Sequence, residues 1–87
     1  MPLYRLERYV GEATQAELDA GIFRAAACIH NFEDMRWIRS FYDAVAEQFT
    51  CYYEALSADD LRHHAELARV ACDSVTEVIE YLPERYS

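Results

Sequence analysis

Residues 35 to 55, MRWIRSFYDAVAEQFTCYYEA, decide what this chain can fold into. The stretch holds neither glycine nor proline, so nothing breaks it and its side-chain pattern alone must choose the structure. Read as strands, MRWIRSFY and QFTCYYEA are dense in aromatic and β-branched residues and flank a short DAVAE connection. Read as a helix, Trp37, Phe41, Ala44, Gln48 and Tyr52 fall on one side. Periodicity leaves both open.

The flanks are more definite. PLYRLERYV, residues 2 to 10, is rich in Tyr, Leu and Val, ends at Gly11 and reads as a first strand. Thr14 and Glu17 form a capping box that opens a helix, with Leu18, Ile22, Ala25, Ile29 and Phe32 on one apolar face and an end at Asn31 or at Glu33 and Asp34. Ser57 with Asp60 approximates a second box, ahead of a helix lined by Leu61, Ala65, Ala68 and Cys72. SVTEVIEYL, residues 74 to 82, reads as a last strand before Pro83. Two strands in the middle give the order βαββαβ, an α+β ferredoxin-like fold with a four-stranded antiparallel sheet and two helices on one face. A helix there gives a mostly α protein.

With two glycines and two prolines in 87 residues there is no linker or repeat, and residues 1–87 are expected to form one domain. A chain this small has a thin margin of stability, which pairing with a second copy widens, and a hydrophobic content of 53% suits an extra interface. Sixteen Asp and Glu against eight basic residues, all of them Arg, give a net charge of -8. That field disfavours nucleic acid and anionic membrane surfaces and favours cations or neutral small molecules. There is no signal-peptide pattern and no apolar run long enough to span a bilayer, and three cysteines in no paired spacing suit a reducing compartment, so a cytoplasmic location is expected.

The pieces LYRLERYV (3 to 10), RWIRSF (36 to 41), CYYEA (51 to 55), HA (64 to 65) and DSVTEV (73 to 78) resemble a family of small bacterial domains of unknown function, one type of which is described as nickel-binding. The shared pattern is an N-terminal strand ending in Glu-Arg, then Trp-x-x-Ser-aromatic, Cys-x-Tyr-Glu-Ala, a helix, and a closing strand with Glu-Val. The resemblance implies a ferredoxin-like fold that dimerises into a barrel-like α/β assembly, hence strands in the undecided middle, and nickel or another divalent metal as ligand. The chain departs from the pattern in two connections. Ala68-Arg69-Val70-Ala71-Cys72-Asp73 lacks the Ala-Gly-x-Pro corner, and Glu54-Ala55-Leu56 stands where the family has Glu-Ala-Pro. Changes in connections bear on ligand geometry more than on fold.

Strand alternation then sorts the chemistry. Phe49, Cys51, Tyr53 and Ala55 share the face expected to meet the helices, with Cys51 a small buried hydrophobe, while Thr50, Tyr52 and Glu54 share the other. In the first strand Leu3, Arg5, Glu7 and Tyr9 alternate with Tyr4, Leu6, Arg8 and Val10, the more polar set lying beside Tyr52 and Glu54. Glu7, Glu54, Tyr52 and Arg5 are thus expected to converge on the open face, with Trp37 nearby, where a second copy would cover them. They could bind a metal, act as acid and base, or only form salt bridges with Arg5 and Arg39.

His63 and His64 point about 100° apart on a helix and cannot chelate one ion. His63 falls on the wet side with Asp59 and Glu66; His64 sits at the edge of the apolar stripe, where its plainer role is a packed histidine with one hydrogen bond. Cys28 and His30, two apart, face opposite ways, and His30 is placed to cap the helix C-terminus.

The leading expectation is a homodimer that binds a small molecule or a divalent metal, with His64 and Glu54 as metal ligands and Trp37, Tyr52, Tyr53, Glu7 and Arg5 around the ligand. The rival is a cofactor-free oxygenase, isomerase or cyclase acting on an aromatic or polyketide-like molecule in a dimeric barrel cavity, with His64 or Glu54 as general base. No nucleophile triad, glycine-rich phosphate loop or spaced Cys/His set supports a hydrolase, nucleotide or zinc-finger reading.

Overall fold

The middle of the chain forms two strands. The computed structural model describes residues 1–87 and runs β1 (Leu3–Tyr9), α1 (Gln15–Cys28), β2 (Arg36–Asp43), β3 (Gln48–Glu54), α2 (Ala58–Ala68) and β4 (Ser74–Val78), with 3₁₀ turns at Ile29–Asn31 and Pro83–Arg85. The sheet order is β2-β3-β1-β4 with every neighbouring pair antiparallel, the ferredoxin-like βαββαβ arrangement. Period-two burial along β3 decides against the helical reading: Phe49, Cys51 and Tyr53 are buried and their neighbours are half-buried. Pairing of β3 with β1 on one side and β2 on the other satisfies its backbone along its length.

The β2–β3 turn closes without glycine. Asp43 Oδ1 accepts from the backbone N–H groups of Val45 and Ala46 at 2.9 and 3.0 Å, and Glu47 takes the left-handed conformation at φ 56°. An irregularity between Trp37 and Arg39 puts Ile38 out of register with β3, a bulge that changes which residues of β2 share a face.

Both helix starts match the expected caps. Thr14 Oγ1 accepts from Glu17 N at 3.2 Å and Glu17 Oε1 accepts from Thr14 N at 3.1 Å. The Thr14 backbone N–H and, at 3.0 Å, its hydroxyl both donate to Glu17 Oε1, which favours the carboxylate and holds the Glu17 pKa below its ordinary value. Ser57 Oγ accepts from Asp60 N at 3.1 Å.

The helix ends differ from expectation. The α-helical part of α1 stops at Cys28, and Asn31 Nδ2 rather than His30 donates to the Cys28 carbonyl at 3.3 Å. Helix α2 stops at Ala68 because Arg69 turns left-handed at φ 56°, so Cys72 packs against the core from the following loop and not from the helix. Arg24 of α1 donates to the carbonyls of Ala68 and Arg69 at 2.8 and 3.2 Å, satisfying the end of α2 from outside. Strand β4 ends at Val78 and not at residue 82, because its partner β1 ends opposite it, at Leu3.

The core lies between the sheet and the helices, where Leu6, Leu61 and His64 are fully buried. Only 13 of 87 residues are buried, because the other face of the sheet has no layer over it. No helix is long and apolar enough to cross a membrane.

Candidate functional site

The sheet presents two separate chemistries, one on each face. On the open face, register places Arg5 and Arg39 on either side of Tyr52, a row across β1, β3 and β2. The bulge adds Ile38 to the same side, and Phe41 meets Tyr52 edge-on at 6.4 Å. Together with Leu3, Val78, Ile79 and Glu80 these residues line an open trough of about 450 Å³. Phe41 is 59% exposed there, a large aromatic surface left open to water.

The two carboxylates of this face do not converge. Glu7 lies opposite Thr50 and Glu54 opposite Leu3, four strand positions apart, which is about 13 Å. Each has its own partners. Glu7 pairs with Arg5 Nε at 3.3 Å, a contact not aligned as a hydrogen bond, and accepts from Gln48 Nε2 at 3.1 Å. Glu54 accepts from Arg36 Nη1 at 3.0 Å. Arg36, and not Arg39, is the second arginine of these pairs.

On the helix side lie Arg8, Tyr53 and His64. His64 Nε2 is 2.7 Å from the Ala25 carbonyl, which can only accept, so the proton is assigned to Nε2 and Nδ1 is left without a partner. Phe32 and Tyr53 pack their rings on it at 5.8 and 5.6 Å. Burial lowers the His64 pKa and the Arg8 cation adds to that, while the bond to Ala25 works the other way; the imidazole is neutral at pH 7. Arg8 is 5% exposed, and its Nη2 donates to Tyr53 Oη at 3.4 Å. Burial pushes the Tyr53 phenol up to about 12 against the opposing pull of Arg8, so it too is uncharged. Beside Arg8 is a small cavity of about 20 Å³ walled by Ile22, Ala25, Phe49, Cys51 and Tyr53, with Trp37 and Ser40 at the β2 edge.

This division separates residues that the sequence grouped together. His64 is buried under the helices whereas Glu54 projects from the opposite face of β3, so in one copy the two can be neither a metal pair nor an acid–base pair. Trp37 is paired with Tyr53 and shares the helix side with it, away from Glu7 and Glu54; its Nε1 donates to Ser40 Oγ at 2.8 Å. Of the expected ligand set, Arg5 and Tyr52 share the trough, and Glu7 lies farther along the same face. Arg8, Ile38, Arg39 and Phe41 were not in that set. Arg8 had a visible signal, as the one charged member of the alternating set Tyr4, Leu6, Arg8, Val10. The bulge that places Ile38 and Arg39 had none.

The donors of one copy do not fit a nickel ion. No group of three His, Cys, Asp or Glu side chains comes together. His30 and His63 are exposed on different elements, and the Nε2 of His64 is committed to Ala25.

Comparison with known proteins gives a consistent fold. A family model described as nickel responsive protein SCO4226-like matches residues 4–78. The crystal structure of SCO4226 from Streptomyces coelicolor A3(2) is similar with a TM-score of 0.80 at 17% identity, over 92% of this chain and 99% of that one. At that identity the likeness bears on the fold alone. A search of curated proteins gives no match.

Proposed function

The chain belongs to the family of nickel responsive, SCO4226-like proteins, and from that membership together with the uncovered trough we propose that it is a small-molecule-binding homodimer, two copies meeting through the open faces of their sheets. The observation that carries the reading is the trough itself, about 450 Å³ with an aromatic floor of Phe41 and Tyr52 and an arginine on either side. A second copy laid over it would shield Phe41 from water and turn an open groove into a chamber. Arg5 and Arg39 suit a ligand with an acidic group, and the floor suits an apolar or aromatic body.

The family description, nickel responsive, motivates a second reading, which we extend to a divalent metal held between copies. Because one copy brings no three donors together, such a site requires side chains from both. Sedimentation equilibrium of tag-free protein tests the first reading: a dimer is expected for the native chain and a monomer for Phe41→Asp, and a monomeric native chain would overturn it. Nickel titration by calorimetry tests the second. Stoichiometric binding that disappears in the monomeric variant supports a shared site, whereas binding kept by the monomer rules it out.

A further inference from the structure

The chain after β4 leaves the sheet beside the trough and finds little cover in its own copy. Ile79 and Glu80 still line the trough, yet Ile79 is 79% exposed, Tyr81 73% and Tyr86 72%, and none of the three belongs to the core. Outside the helices and strands, the backbone bonds made past Val78 are local. Arg85 N donates to the Leu82 carbonyl at 3.1 Å and Tyr86 N to the Pro83 carbonyl at 2.9 Å. The turn that begins at Pro83 holds the Tyr81 and Tyr86 rings 6.4 Å apart. The segment is thus a short arm whose turn gathers two tyrosines in water, apolar surface that one copy leaves unburied.

We propose that in the dimer this arm crosses the interface and lays Tyr81 and Tyr86 against Phe41 of the partner subunit, so that each trough is walled in part by the other copy. The exchange rests on the open-face homodimer and adds to it residues that only a second copy can supply. Continuity favours it, since the arm departs from the rim of the trough, on the face through which the copies meet. Reach permits it. Five residue steps separate Val78 from Pro83, about 16 Å when extended, against about 10 Å between sheets packed face to face. Charge favours it as well. Glu84 of the arm has no basic partner in its own copy and Arg39 of the trough has no carboxylate in its own, so an exchanged arm lets the two pair across the interface and fix its register. Under two-fold symmetry each copy gives the arm that it receives, and both troughs are closed at once.

The experiment uses the native chain. Sedimentation equilibrium gives its oligomeric state, and isotope-filtered nuclear Overhauser spectra of mixed labelled and unlabelled copies then report contacts between copies alone. The expected result is inter-copy contacts from the Tyr81 and Tyr86 rings to Phe41. Tyr81→Ser, a change outside the core, is expected to keep the fold by circular dichroism and to weaken the dimer about tenfold. A dimer that lacks those inter-copy contacts, or that Tyr81→Ser leaves equally tight, overturns the exchange and leaves the homodimer standing. A monomeric native chain overturns both.

Discussion

Acid should destabilise this protein through one histidine. His64 is fully buried among Phe32, Tyr53 and Arg8, and its folded pKa lies below the ordinary value of 6.5, foremost because burial disfavours the imidazolium. The unfolded chain therefore takes up the proton first as pH falls. The stability that comes from keeping this ring neutral is intact above the unfolded pKa of 6.5 and is lost as pH drops through it, until the folded pKa is reached. Between about pH 7.5 and about pH 5.5 that loss is at most about 1.4 kcal/mol from this residue, the limit in which the folded ring stays neutral while the unfolded ring titrates through its midpoint.

His64→Gln tests this with little change of bonding, because the glutamine amide can still donate to the Ala25 carbonyl. Urea unfolding followed by circular dichroism gives the stability of both proteins at the two pH values. The packing cost of the substitution, the carboxylates and the exposed His30 and His63 are common to both pH series or to both proteins, and so cancel in the double difference. The native chain is expected to lose more than the variant over that interval, by up to about 1.4 kcal/mol. Equal losses would mean that His64 takes up its proton while folded, and would refute the argument from burial.

Three further substitutions test the packing and the caps. Leu61→Ala removes a fully buried side chain and is expected to cost about 3 kcal/mol in urea unfolding. Arg24→Ala leaves the carbonyls of Ala68 and Arg69 without their charged donor and should cost about 2 kcal/mol, seen also as faster amide exchange at the end of α2. Arg69→Gly should instead stabilise by about 0.5 to 1 kcal/mol, since glycine takes φ 56° without the steric cost of a Cβ, and a lower melting temperature would contradict that account.

How much of this was legible in the sequence depended on whether the signal was local. The two N-caps are local hydrogen-bonding patterns, and Thr14, Glu17, Ser57 and Asp60 do what their spacing implies. The strands of the middle were undecided because Trp37, Phe41 and Tyr52 satisfy a helical period as well as a strand one, and only pairing on both edges of β3 separates the two. His64 was placed at the edge of the α2 stripe, as its angle relative to Leu61, Ala65 and Ala68 implies. It is fully buried because α2 packs against α1 as well as the sheet, which widens the covered stripe toward Ala25. The bulge at Ile38 moves Arg39 and Phe41 to the open side and leaves Trp37 on the helix side; it depends on tertiary register and leaves no mark in the residues themselves.

Net charge alone does not describe the trough, for the same reason. A charge of -8 predicts attraction of cations at long range. Screening confines that field to about 8 Å at physiological salt, so within a cavity the nearest groups decide. In the trough those are Arg5 and Arg39 together with the carboxylate of Glu80, and Arg5 is already paired to Glu7. The chain has eight arginines and no lysine, and two of them line the trough. The trough therefore holds charges of both signs and does not share the acidic character of the chain as a whole. Nickel binding that Arg39→Ala strengthens would place the ion in the trough, where removal of a neighbouring cation relieves repulsion; binding indifferent to that substitution would place the ion outside it.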